Sequence, residues 1–251
     1  MDSLGINLGV ATFNVNGINA RDKRIKIFEW LKLKHESVIF LQETHSTPEA
    51  EKQWEREWGG KIFFSHGKSN STGVAILIKP ALGGAEPINI ERDNVGRCIL
   101  VDLKVEEIPF RFVNFYGPNK DDTSFLEETF KRAYSNKTHD NILIGGDFNT
   151  VMDNTLDLSK SVSGGRRIHA NRKSQLLLNA LVYDCNLVDI FRTLNPNDLL
   201  YSHVNKKSRT QSRLDFFLID KSLEGISECE YSHGINSDHS YVLLAVKGEQ
   251  L

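Results

Sequence analysis

Asn141-Ile142-Leu143-Ile144-Gly145-Gly146-Asp147-Phe148-Asn149 is the stretch on which the reading of the fold turns. Ile142, Leu143 and Ile144 form a run apolar on both faces, and such a strand belongs in the middle of a buried sheet. Gly145 and Gly146 permit a sharp exit and a close backbone approach, so the strand is expected to end there and to present Asp147 and Asn149 where strand meets loop. Active-site groups of open α/β sheets sit at such strand ends. The same pair reads equally well as a turn in which Asp147 and Asn149 hydrogen-bond local backbone. Partners elsewhere in the chain have to decide between the two.

The 251 residues, 39% of them hydrophobic, allow a sizeable core. We read residues 1–251 as one domain with its core at about residues 8–247. A formal net charge of −2, from 31 Lys and Arg against 33 Asp and Glu, excludes a generally polyanion-binding protein but not local basic patches. Cys98, Cys185 and Cys229 are odd in number and widely spaced, which argues against a disulfide scaffold or a thiolate zinc site and for an intracellular, reducing setting. No apolar stretch approaches membrane-spanning length, so a soluble protein without a membrane partner is expected.

Along the chain, residues 8–15 and 38–42 read as buried strands ending in polar groups, Asn14-Val15-Asn16-Gly17 and Gln42-Glu43-Thr44-His45. An amphipathic helix over residues 21–33 separates them, and Pro48 opens a second helix with Trp54 and Trp58 on one face. Strands follow at residues 61–64, 73–78, 98–105 and 109–116. Helical spacing returns over residues 124–134, with Ser124 as cap and Glu127 three residues on, and again over residues 171–183. The end of the chain alternates strands at residues 200–204, 214–219, 227–231 and 241–246. Helices among many short strands predict an α/β fold of two sheets packed face to face with helices outside.

Five strand ends then offer polar groups that can converge: Asn14, Glu43, Tyr116, the Asp147/Asn149 pair, and Asp238-His239. Cleavage of a phosphodiester asks for such a set, because a hard cation must neutralise charge on the phosphate and leaving oxygens. Glu43 with Asn14 would suffice for Mg²⁺, Asp147 could deprotonate the attacking water, and Asn149 and Tyr116 could donate to the developing charge. His239 would complete the polar cage if a carboxylate fixes its tautomer, and Asp215 is a candidate. Each piece has a plainer reading: surface polarity for Glu43-Thr44-His45, an Asx turn for Asn14, packing under a turn for Tyr116, a cap for Ser237-Asp238-His239. The ordered joint pattern is what chance does not supply.

Asn14-Val15-Asn16-Gly17, Gln42-Glu43-Thr44-His45, Asn114-Phe115-Tyr116-Gly117-Pro118-Asn119, Gly146-Asp147-Phe148-Asn149, Arg213-Leu214-Asp215 and Ser237-Asp238-His239 together resemble the endonuclease/exonuclease/phosphatase superfamily. Within it the chain is most similar to the endonuclease domain of LINE-type non-LTR retrotransposons, from about Val10 to Val246. Repair-type apurinic endonucleases usually carry Asp where this chain has Asn16. The run Leu187-Val188-Asp189-Ile190-Phe191-Arg192-Thr193-Leu194-Asn195-Pro196, with Tyr201 after it, also resembles the retrotransposon group.

The resemblance implies a four-layer α/β sandwich, deoxyribonuclease I-like, and Mg²⁺-dependent nicking of double-stranded DNA that leaves 3′-hydroxyl and 5′-phosphate ends. Mn²⁺ would substitute for Mg²⁺. It pairs His239 with Asp215, places Glu43, with Asn14 and Asp238, at the metal, and puts Asp147 on the water. Thr193 and Ser212 match positions used near DNA phosphates, and His45 and Ser237 join them as expected DNA contacts. After Thr155-Leu156-Asp157 many relatives place an Arg that contacts DNA, whereas this chain has Leu158. Relatives are fused to a reverse transcriptase, so an excised, monomeric domain of a longer polyprotein acting in the nucleus is expected.

Since the overall charge does not favour DNA, affinity has to come from local basic surface. Lys206-Lys207-Ser208-Arg209, followed by Arg213, reads as a basic hairpin, and Arg166-Arg167 with Arg172 and Lys173 forms a second cluster. A solvated face is the default for either alone. Beside catalytic residues, phosphate contact explains them better. Two rivals stand against the nicking enzyme: a repair endonuclease or a phosphatase acting on inositol phosphates or lipids with the same chemistry, and an inactive nucleic-acid-binding module.

Overall fold

A computed structural model describes residues 5–68, 71–82, 86–135, 141–159 and 169–249. Its first half runs β1 (Gly5–Asn14), α1 (Arg21–Lys32), β2 (Val38–Gln42), α2 (Glu51–Trp58), β3 (Lys61–Ser65), β4 (Val74–Ile78), β5 (Asn89–Arg92), β6 (Cys98–Val105), β7 (Ile108–Tyr116) and α3 (Thr123–Tyr134). The second half runs β8 (Ile142–Asp147), α4 (Arg172–Asp184), β9 (Leu187–Asp189), α5 (Ile190–Leu194), β10 (His203–Asn205), β11 (Thr210–Ser212), β12 (Asp215–Asp220), β13 (Ser227–His233) and β14 (Ser240–Glu249).

Two six-stranded mixed sheets result, in the orders β13-β14-β1-β2-β4-β3 and β5-β6-β7-β8-β12-β9, with β10 and β11 as a separate hairpin. Each large sheet has one parallel pair, β1 with β2 and β7 with β8. Parallel neighbours need a crossover. The amphipathic helices α1 and α3 provide it, lying on the outer faces.

The strands at the centre alternate between two cores. In β2, Val38 and Phe40 point between the sheets, where Phe40 meets Phe112 and Phe217 with ring centroids 6.2 and 6.0 Å apart. Ile39 and Leu41 point outward, under Phe28 of α1 and the Trp54 and Trp58 rings of α2. On the far side Leu126 and Phe130 of α3 and Leu178 of α4 cover the outer face of the second sheet. Strands buried on both faces carry apolar residues at every position, which explains the unbroken runs of β2, β4 and β8. The architecture is therefore the four-layer, deoxyribonuclease I-like sandwich.

Several expectations need correction. The helix at residues 123–134 is capped by Asp122, whose carboxylate accepts from Phe125 N, while Ser124 donates to that same carboxylate. Pro48 opens a 3-10 turn, and the α-helix proper begins at Glu51. β5, β9, β11 and α5 went unread because they are three to five residues long, too short for a period to show.

Gly145 and Gly146 do not end their strand: β8 continues to Asp147. A Cβ on Gly145 would meet the Phe217 ring at 2.3 Å, and one on Gly146, at φ +152°, would meet Phe115 O at 1.8 Å. These two residues let β7 and β12 close on β8 immediately before the carboxylate. Gly146→Ala is therefore expected to cost about 3 kcal/mol or more, or to abolish folding, as read by urea unfolding.

Candidate active site

Parallel pairing brings strand ends to one side. Asn14 is the register partner of Gln42 in the first sheet, and Tyr116 of Asp147 in the second. The sheets face each other, so Asn14, Glu43, Tyr116 and Asp147 emerge at the same edge of the sandwich. Beneath them Gln42 Nε2 donates to Asn114 Oδ1 at 2.7 Å and Thr12 Oγ1 at 2.9 Å, and Asn114 Nδ2 donates to Leu41 O and Ala75 O. Both amide nitrogens and the Asn114 oxygen are paired, with only Gln42 Oε1 lacking a partner among the described residues, and because a buried unpaired amide group is costly this bridge fixes one sheet on the other.

At the edge, Asn14 Nδ2 donates to both Glu43 Oε1 (3.0 Å) and Asp147 Oδ2 (2.9 Å). Tyr116 OH donates to the same Glu43 Oε1 at 2.8 Å. His239 Nδ1 lies 2.8 Å from Asp215 Oδ2, and its Nε2 lies 3.9 Å from Asp147 Oδ2. Asp147 and Asp215 are direct cross-strand partners in antiparallel β8 and β12, both essentially without solvent exposure.

Turn chemistry and site chemistry use different atoms of the same side chains. Asp147 Oδ1 accepts from Asn149 N at 2.9 Å, and Asn14 Oδ1 accepts from Asn16 N at 3.0 Å, so both Asx turns exist. The remaining atoms, Asp147 Oδ2 and Asn14 Nδ2, face the pocket. Asn149, at φ 48°, donates through Nδ2 to Gly117 O. The plain reading and the functional one are both satisfied at these positions.

Burial, and then the charge of Asp215, push the Asp147 carboxyl above its usual range. Burial pulls the His239 imidazole down, but the Asp215 and Asp147 carboxylates outweigh it and lift it to about 10. Burial, followed by Glu43 and Asp147, raises the Tyr116 phenol and keeps it a donor. Asp238 accepts from Asn16 Nδ2 at 3.2 Å and lies 3.8 Å from His203 Nε2. The charges of Asp238 and Glu43 both reach Lys23, whose ammonium donates to Val15 O and Asn16 O.

Two sets of oxygen-rich groups could hold a cation. One is the carboxylates of Glu43 and Asp238; Asn14, expected beside them as a ligand, turns its Nδ2 donor to the pocket and gives Oδ1 to Asn16 N, so it positions Glu43 rather than binding a cation. The other is Asp147, Asp215 and His239, whose ligand atoms lie within 4.8 Å of one another. In the second set the His239 Nδ1 is committed to Asp215, and a protonated ring repels a cation. Asp147 and Asp215 would then bind metal only at the expense of that pair.

The other expected contacts divide. Lys206, Lys207 and Arg209 are exposed at the turn of the β10–β11 hairpin. The base of this hairpin is tied to the segment that carries Asp238 and His239, through Val204 N to Asp238 O and Ser240 N to Ser202 O. Thr193 is exposed on α5, and half-buried His45, at φ 56°, sits against Gly17. Arg166 and Arg167 lie outside the described residues. Ser212 is buried in β11.

Arg213 needs correction as a DNA contact, whereas Ser237 stays partly exposed. Arg213 has no solvent exposure: its guanidinium bonds the carboxylates of Asp157 and Asp189 and stands over the Phe216 ring at 5.0 Å. Ser237 Oγ donates to Asn14 O and accepts from His239 N. Arg213 braces the site from within, and Ser237 ties the His239 segment to β1. Leu158, where the family resemblance leads one to expect Arg, packs with Val151 and Leu214 in a small apolar cluster. Sequence reasoning missed the Asp157–Arg213–Asp189 bridge, since nothing local distinguishes a buried charge from a solvated one.

Over residues 11–239 the sequence matches the endonuclease/exonuclease/phosphatase family, and the chain belongs to it. A relative from Xenopus laevis, the transposon TX1 uncharacterized 149 kDa protein, is 29% identical over 223 residues, covering 86% of this chain. The chain spans only 16% of that relative's length. Among solved structures it is similar to the AP endonuclease LMAP from Leishmania major (TM-score 0.78, 16% identity, 96% of this chain and 88% of the other). It is also similar to an AP endonuclease from Archaeoglobus fulgidus (0.71, 22%, 95% and 99%) and a 3′-5′ exonuclease from Neisseria meningitidis (0.72, 18%, 95% and 99%).

Removing one partner of a buried charge set strands the other charges. Arg213→Ala should therefore cost about 3–5 kcal/mol in urea unfolding. Arg213→Lys should recover only part of this, because Lys lacks the fork that serves two carboxylates.

Proposed function

We propose that this chain is a Mg²⁺-dependent endonuclease that nicks double-stranded DNA, leaving a 3′-hydroxyl and a 5′-phosphate, and so provides the primer for target-primed reverse transcription by a non-LTR retrotransposon. The observation that carries the reading is one pocket in which Asn14, Glu43, Tyr116, Asp147 and the Asp215–His239 pair meet, with an exposed basic hairpin anchored at its rim. The likeness to the transposon TX1 protein, of which the chain spans 16%, supports a transposon setting and a longer polyprotein, in which we infer a fused reverse transcriptase as partner.

Asn14 and Tyr116 fix Glu43 through one oxygen, Oε1. Oε2 is then the atom offered to a hard cation, with Asp238 on the same side. A bound Mg²⁺ supplies charge neutralisation at the phosphate and the leaving oxygen. Mn²⁺, which also suits oxygen ligands, would serve in its place. Asp147, held by Asn14 and by Asn149 N, takes the proton of the attacking water. His239, charged and oriented by Asp215, faces the same phosphate. Asn149 Nδ2 carries a second hydrogen beyond the one given to Gly117, which a phosphate oxygen can accept. Lys206, Lys207 and Arg209 bind the DNA backbone beyond the scissile bond.

Supercoiled plasmid should be nicked in Mg²⁺ buffer and left intact in EDTA. Glu43→Ala and His239→Ala should each lower the rate on the order of 10²-fold or more. A panel adding abasic oligonucleotide and inositol phosphate tests the substrate, and hydrolysis of inositol phosphate alone would overturn the reading. As a base, Asp147 has to be ionised, and burial with the charge of Asp215 raises its carboxyl, so the rate should rise with pH above the usual carboxylate range. It should fall toward about 10 as His239 loses its proton. The same lift makes the His239 contribution to stability full below the ordinary imidazole range and lost as pH climbs through about 10.

The triple change of Lys206, Lys207 and Arg209 to Ala should weaken DNA binding, flatten its salt dependence and shift the mapped nick positions with the melting temperature unchanged. Unaltered binding and nick positions would remove the hairpin from the proposal.

A further inference from the structure

The loop that carries Glu43 is bent in a way side chains resist. Glu43 sits at φ 51° and His45 at φ 56°, both in the left-handed region. Non-glycine residues persist there only when their surroundings over-determine them. Part of that support is backbone: Gly17 N bonds Glu43 O, Thr44 N bonds Gly73 O, and His45 N bonds Thr72 O.

The rest is a relay of side chains that the proposed chemistry does not use. Glu51, on α2, lies 2.8 Å through Oε1 from His66 Nε2. His66 Nδ1 lies 2.9 Å from Ser46 Oγ, and Ser46 Oγ lies 3.0 Å from Thr44 Oγ1. Thr44 is buried against Gly73, where an added Cβ would come within 2.6 Å of its hydroxyl. The His66 ring is further held by stacking on Phe64, centroids 5.2 Å apart at 20°.

Only one run of protons satisfies the neutral ring. An ionised carboxylate can only accept, so Nε2–H donates to Glu51, Nδ1 accepts from the Ser46 hydroxyl, and Ser46 Oγ accepts from Thr44. Ser, His and Glu in a line resemble a nucleophile with its base, but Ser46 is buried and cannot be offered to a substrate. The relay runs toward Thr44, the residue next to Glu43.

We propose that Ser46 and His66 are positioning residues for Glu43: the chain Glu51–His66–Ser46–Thr44 holds the left-handed loop so that the Glu43 carboxylate is set for a divalent cation. This rests on the role proposed above for Glu43. Groups that orient a ligating carboxylate typically change metal affinity 10–100-fold when lost.

The test is Mn²⁺ affinity of the intact chain by electron paramagnetic resonance, alongside thermal unfolding, for the parent, E43A, S46A, H66A and H66Q. Gln can donate to Glu51 and accept from Ser46, as the neutral ring does. S46A and H66A are expected to bind Mn²⁺ about 10-fold more weakly than the parent, with H66Q recovering most of the loss. Parent-like affinity in both S46A and H66A, whatever their melting temperatures, overturns the relay alone. H66Q as weak as H66A assigns the effect to lost ring volume and also overturns it. A parent that binds Mn²⁺ no better than E43A overturns the relay together with the proposed role of Glu43.

Discussion

Two carboxylates buried side by side are the constraint around which this molecule is arranged. Asp147 and Asp215 face each other across β8 and β12 with almost no access to water. Like charges directly opposite in a sheet repel, and desolvation adds to the penalty for each. The surroundings answer both terms. His239 lies between them as a cation, bonded to Asp215 and 3.9 Å from Asp147, and Asn14 reaches over from the other sheet to donate to Asp147. Among the described residues Asp215 Oδ1 has no hydrogen-bond partner. A carboxylate perturbed in this way, like Asp147, is what functional sites tend to carry.

Those compensating groups come from residues far apart in the chain, so the two sheets must be held in one relation. The Gln42–Asn114 bridge does this at the centre, just under the strand ends, and the aromatic contacts of Phe40 do it deeper in the core. On the second sheet the Asp157–Arg213–Asp189 bridge fixes the segment leading into Asp215. Ser237 and Tyr231 complete the frame, one tying the His239 loop to Asn14 O and the other donating to Asp215 O. The placement of the clustered side chains thus depends on polar groups behind and beside them.

Much of this was legible beforehand, for identifiable reasons. Strands buried on both faces leave an unbroken apolar signature, so β2, β4 and β8 could be read, and amphipathic spacing gave α1 and α3. The polar residues closing those strands stood out because they follow apolar runs. Arg213 could not be read correctly. In sequence it continues a basic run, and only the placement of Asp157 and Asp189, 56 and 24 residues away, turns it from a surface charge into a buried one. Gly145 and Gly146 misled for a similar reason. A glycine pair signals an exit when only the local backbone is considered, whereas here the cause is the neighbouring strands, Phe115 on one side and Phe217 on the other.

What the sequence determined by itself was local and periodic: which segments are strands and helices, which faces are apolar, and which residue types stand at the ends. Backbone geometry and the hydrophobic effect act over a few neighbouring residues, and their record is written contiguously. Tertiary structure alone decided which atom of each polar side chain serves its own turn and which faces the pocket, and which charges are buried in mutual compensation. Those outcomes depend on distances between facing sheets whose strands lie more than a hundred residues apart in the chain, such as the 2.9 Å from Asn14 to Asp147, and no local pattern encodes them.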